Sequence, residues 1–179
     1  VADVYAIFGT LLALGIAFPG MLTAWWLLFP GTVERASKRV STTPGRCFGL
    51  GVLATLMLAI PAAALLALPV GGAKLLGIVL VAAGLAFASL GAAGMAAAMG
   101  RVWRRHAGEN ASQTGSFVRA AVVLELAAAF PFLGWFVFIP ASILVSLGGA
   151  VFAVLRWESR SSADGVVPES ALVHEPQSA

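Results

Sequence analysis

Residues 117 to 157 read FVRAAVVLELAAAFPFLGWFVFIPASILVSLGGAVFAVLRW, an apolar run interrupted by Pro131 and Pro140. As one straight helix it would measure roughly 60 Å, about twice the hydrocarbon core of a bilayer. A single crossing cannot absorb that length. Proline lacks an amide proton and its ring clashes with the preceding turn, so Pro131 and Pro140, together with Gly134, mark where the chain is expected to break and turn back. The run then gives a span over 117–139 and a second, short or re-entrant arm over 141–157. Broken backbone at membrane depth is tolerated only where neighbouring protein or a wet cavity satisfies the freed carbonyls, so the break is expected to face inward or to lie at an interface.

Working outward, three more apolar runs precede this one, at 4–30, 47–70 and 74–100. Apolar residues make up 60% of the chain and charged residues 11%, against roughly 45–50% and 25% in an ordinary soluble domain. Mean hydropathy is +0.95. Lipid rather than water is the expected solvent for residues 1–157. The expected fold is an all-α, polytopic transmembrane bundle of about four full spans plus the proline-broken last segment. Pro19 and Pro61 are expected to break the first two runs as well. A weak echo links AFPGMLTAWWLLFP in the first run to AFPFLGWFVFIP in the last, as in inverted repeats of transporters. Residues 158–179, ESRSSADGVVPESALVHEPQSA, lack apolar periodicity and are expected to form a disordered polar tail.

Positive charge collects in two polar loops. The first holds Arg35, Lys38, Arg39 and Arg46; the second holds Arg101, Arg104 and Arg105, with Arg119 just beyond, while the turn between the second and third runs holds only Lys74. Basic loops stay on the cytoplasmic side, which sets the N-terminus outside and the C-terminus, with Arg156 and Arg160, inside. The net charge of +3 follows from this arrangement, and no nucleic-acid partner is expected. In the first loop Thr32 can cap a short helix that turns Val33, Ala36 and Val40 towards lipid and its charges towards water. Ser116 can cap the last apolar region.

The third run places Gly77, Gly84, Gly91 and Ala98 at every seventh position. Small residues so spaced form a seam along which another helix, of this chain or of a second copy, can approach closely. Glu125 is the ionisable residue well inside an apolar run. At the centre of a bilayer it costs on the order of 3 kcal/mol unless it is neutral, paired or facing a cavity, so it is the candidate polar site. Ser89, Thr55, Ser142 and carbonyls freed by Pro131 are its expected partners.

Catalytic signatures are missing: there is no GxSxG, zinc-type histidine pair or phosphate loop. Cys47 is the single cysteine, which excludes an intrachain disulfide and a four-cysteine metal site. His106 and His174 lie outside the runs where a haem or pigment would need them, so no cofactor is expected.

The stretch GRVWRRHAGENASQTGSFVRAAVVLELAAAFPFLGWFVFIPASILVSLGGAVFAVL combines a short basic loop, a helix leading to a proline–x–x–glycine break and a glycine-rich closing helix. In this it resembles the polytopic domain attached to bactofilin-type polymer-forming proteins, and small stand-alone membrane proteins of bacteria. The resemblance implies a bacterial inner-membrane location and transfers no catalytic residue. Together these features point to a non-catalytic membrane scaffold, anchor or accessory subunit, with the bilayer and other membrane subunits or a second copy as partners. The alternative is a small permease or channel subunit in which Glu125 lines a polar path.

Overall fold

The computed structural model describes residues 2–107 and 112–155, which form α-helices and one π-helical turn, with no strand among the described residues. The helices are α1 (Ala2–Leu28), α2 (Pro30–Thr42), α3 (Pro44–Ala67), α4 (Gly71–Ala107), α5 (Gln113–Ala129) and α6 (Ile139–Val154), with the π-helical turn at Gly134–Phe138 running directly into α6. The expected tail at 158–179, with Arg156, Trp157, Arg160 and His174, lies outside the described residues.

Two prolines isolate α2. A residue before proline is pushed out of the helical region, and Phe29 (φ −129°, ψ 57°) and Thr43 (φ −138°, ψ 63°) both show it. Pro30 and Pro44 then occupy the first turn of the next helix, where the missing amide proton is not needed. The chain bends by 110° between α1 and α2. Helix α2 starts at Pro30, so Thr32 lies inside it and does not cap it. Its apolar face is not turned to lipid as the sequence predicts. Val33 and Ala36 are fully buried on α4 and α6, because Gly94 meets the Ala36 side chain and Gly149 the Val40 side chain with no methyl group between.

Helix α4 is the axis, packed by α1, α2, α3, α5 and α6. Helices cross it, and one another, at glycines. A Cβ on Gly91 would fall on the Ser146 carbonyl of α6, and one on Gly51 of α3 on the Leu144 carbonyl. Gly148 meets the Cys47 carbonyl in the same way, and Gly100 lies close to Ser116 of α5. The outer surface is the reverse: Met57, Ile60, Leu75 and Leu85 are 72%, 65%, 65% and 61% exposed. Large apolar side chains outside and small residues inside suit close helix packing in lipid. Three helices, Pro44–Ala67, Gly71–His106 and Gly134–Val154, have the length and composition to cross a membrane, and the bent α1–α2 pair, counted together, would make a fourth. Against the expected four full spans plus a broken arm, three or four candidates have that length; in the last segment Gly134–Val154 is the candidate span and α5, with 17 residues, is the shorter element, the reverse of the expected order.

The last segment turns earlier than its two prolines predict. Pro131 drives Phe130 into an extended conformation and ends α5. Phe132 adopts a positive φ of 62°, and the Leu133 and Gly134 amides donate to the Pro131 and Phe130 carbonyls. Gly134 is buried against the Ala127 and Ala128 carbonyls, where a side chain would not fit. Pro140 breaks nothing. The π-helical turn before it, closed by the Ile139 amide on the Gly134 carbonyl, widens the helix where its ring would otherwise clash. The boundary placed between 139 and 141 therefore moves to 130–133. Pro19 and Pro61 likewise sit inside continuous helices, each forgoing one backbone bond that neighbouring groups can offset. The echoed stretches around Pro19 and Pro131 therefore fold differently, one as a helix and one as a turn. The start of α5 is capped by Ser112, whose side chain accepts from the Gly115 amide, rather than by Ser116, which is buried. The Gly71–Lys74 segment, expected as a turn, is the first turn of α4; the reversal lies at 68–70.

Candidate functional site

Helix α5 buries Phe117, Ala120, Ala121 and Leu124, a helical stripe whose edge carries Glu125. Beside that edge α1 packs on α4 and α5 but does not pack closely on α6. The space left between them is a cavity of about 760 Å³. From α1 it is lined by Phe18, Met21, Trp25 and Leu28, and from α4 by Leu85, Ala88, Ser89 and Ala92. Helix α5 adds Leu124 and Glu125; Phe138, Ile139, Ser142, Ile143 and Ser146 complete it. Exposed Leu28, Leu85 and Ile143 edge its mouth.

Polar groups on this wall are few and differ in how they are satisfied. The Trp25 indole donates to Ser89 Oγ at 2.9 Å, and Ser89 donates to the Ala86 carbonyl at 2.8 Å. Ser89 is therefore engaged by Trp25. The Ser146 hydroxyl, on a residue 1% exposed, has no hydrogen-bond partner. Glu125 has neither hydrogen bond nor ion pair among the described residues. Gly15 of α1 passes close to it; a Cβ there would lie 3.6 Å from Glu125 Oε1, in ordinary contact. Of the expected partners, Ser142 shares the cavity, whereas the hydroxyl of half-buried Thr55 on α3 is out of contact with water and has no partner. Carbonyls near Pro131 face Gly134 instead.

The seam residues are divided between neighbours. Gly77 and Gly84 face Leu66 and Leu58 of α3, Gly91 faces α6, and Ala98 is half-buried. A straight helix drifts by roughly 20° per seven residues, so a strict seven-residue row passes from one neighbour to the next.

At the other end of α4 the basic residues gather. Arg101 Nη1 donates to Glu34 Oε2 at 2.9 Å, Lys38 lies 4.0 Å from Glu34, and the Arg39 guanidinium sits 4.9 Å from the Phe152 ring centre. Arg35 reaches Thr32 at 3.3 Å. Arg46 and Arg105 are exposed, and Arg104 is half-buried. Because α5 starts and α6 ends beside these groups, α5 leaves the basic end and α6 returns to it. Among the described residues no group of three or more His, Cys, Asp or Glu could hold a metal ion.

Sequence reasoning singled out Glu125, Ser89 and Ser142 but passed over Ser146 and the cavity side of Trp25. The available signal was the Ser142–Ser146 spacing, which puts two hydroxyls on one helix face. No family model, curated protein or solved structure matches the chain.

Proposed function

We propose that the chain is a non-catalytic, polytopic membrane protein that holds a lipophilic cation in the cavity between α1, α4, α5 and α6. The observation that carries this reading is Glu125, an unpartnered carboxylate on a largely apolar wall. A ligand bearing positive charge would offset the cost of leaving that carboxylate in lipid, on the order of 3 kcal/mol. Aromatic side chains at Phe18, Trp25 and Phe138 add about 0.5–2 kcal/mol each wherever a ring face meets the cation. The Ser142 hydroxyl offers a hydrogen bond to polar atoms of the ligand. Entry between α1 and α6 would come from the side, through lipid, where a lipophilic cation concentrates.

A small permease would use the same residues, with Glu125 on the path. A scaffold or accessory-subunit role would need a contact surface other than the seam, since Gly77, Gly84 and Gly91 are occupied within the chain. The distribution of basic residues supports an orientation in a bacterial inner membrane with the α2 end and the C-terminus in the cytoplasm and the N-terminus outside. Equilibrium binding of radiolabelled tetraphenylphosphonium to the detergent-purified chain tests the proposal. Native protein is expected to bind it saturably and the cavity-filling Ala88→Trp variant to lose binding; equal binding by both would contradict the cavity as the site.

A further inference from the structure

Beside the ion pair of Arg101 and Glu34 lies a second, smaller pocket of about 220 Å³, walled by Trp26, Glu34, Arg101, Arg104, Gln113 and Phe117. Its donors outnumber its acceptors. Glu34 is the carboxylate of the wall, and Arg101 and Lys38 already offset its charge. Arg101 spends Nη1 on that pair, while half-buried Arg104 has no hydrogen bond or ion pair among the described residues. The Trp26 indole N–H is also without a partner there, and its ring is held in place by stacking on Phe117, centroids 5.0 Å apart and planes 15° from parallel. Gln113, the first residue of α5, stands at the rim, so the positive end of that helix dipole adds to the same space.

We propose that this pocket binds a phosphate group, and that the phosphate belongs to the head of an anionic phospholipid. The chemistry is that of a compact, acceptor-only anion: Arg104 and the free edge of Arg101 supply charge and paired donors, and Trp26 a neutral one. A lipid is the favoured source because Trp26, its ring stacked on Phe117 and lining a charged pocket, suits the headgroup layer. Basic pockets between helices on the cytoplasmic side are where such headgroups bind. The site is separate from the Glu125 cavity, and neither depends on the other.

Native mass spectrometry of the detergent-solubilised chain, offered equal amounts of phosphatidylglycerol and phosphatidylcholine, tests this. Native protein is expected to retain phosphatidylglycerol preferentially, and Arg104→Gln to reduce that preference about fivefold. Arg105→Gln removes the same charge from the next, exposed position outside the pocket and is expected to retain the preference. Trp26→Phe, which keeps the stack but loses the N–H, is expected to weaken it. Retention that survives excess inorganic phosphate supports the lipid as source. Binding of inorganic phosphate by the native protein but not by Arg104→Gln, without lipid preference, would keep the phosphate site and overturn the lipid. Equal effects of Arg104→Gln and Arg105→Gln, or no preference and no phosphate binding in the native protein, would overturn the proposal.

Discussion

Gly91 of α4 meets Ser146 of α6 backbone to backbone, with the position of a Cβ on Gly91 already occupied by the Ser146 carbonyl. That contact fixes α6 on the central helix. Gly91→Ala is expected to lower stability by about 1–3 kcal/mol, because backbone on both sides has to shift. Gly84→Ala should cost less, since only the Leu58 side chain must move. Gly49→Ala, with nothing within 4 Å of its Cβ, is expected to raise stability by roughly 0.5–1 kcal/mol. Thermal unfolding of the three variants in one detergent checks this order.

Arg101 and Glu34 tie α2 to the basic end of α4 across 2.9 Å, with side-chain exposures of 25% and 47%. At that exposure the pair contributes at most about 1 kcal/mol, and salt screens it. Glu34→Gln is therefore expected to lower the unfolding temperature slightly in low salt and not at all in high salt. A loss independent of salt would mean that Glu34 acts through packing.

The Trp25 indole and the Ser89 hydroxyl link α1 to α4 at 2.9 Å. Ser89→Ala leaves the indole N–H without its acceptor on a largely apolar wall, at an expected cost of about 1–3 kcal/mol. Ser142→Ala, whose hydroxyl makes no hydrogen bond among the described residues, should cost clearly less. Comparing their unfolding midpoints separates the two.

Cys47 is fully buried where α3 crosses α6 at Gly148. A bulky maleimide is expected to leave the folded chain unmodified and to label it fully in denaturing detergent. Gly148→Ala, which would press on the Cys47 carbonyl, should open this crossing and speed labelling. Rapid labelling of the native chain would place Cys47 elsewhere.

Composition and run length make the all-helical character legible, and the carboxylate of Glu125 is visible because the nearest ionisable residue, Arg119, stands six positions away. The prolines were harder. Of those that stand out in apolar sequence, Pro19, Pro61 and Pro140 lie within helices, whereas Pro131 ends one. Pro30 and Pro44, beside polar residues, set the bends. What decides is whether neighbouring turns can absorb the ring, and the π-helical turn ahead of Pro140 has no signature in residue type. The small-residue seam was readable as a packing feature, but its division between α3 and α6 depends on helix drift and on which neighbour lies where. The cavity arises from the distance between α1 and α6, a tertiary relation that no single segment encodes.

If the Glu125 carboxylate selects a cation in the cavity, binding of tetraphenylphosphonium and of its neutral analogue tetraphenylmethane will respond differently to Glu125→Gln. Native protein is expected to prefer the cation, and the substitution, which preserves shape, to weaken cation binding about 30-fold while leaving the neutral analogue unchanged. Equal affinity of native and substituted protein for the cation would contradict it.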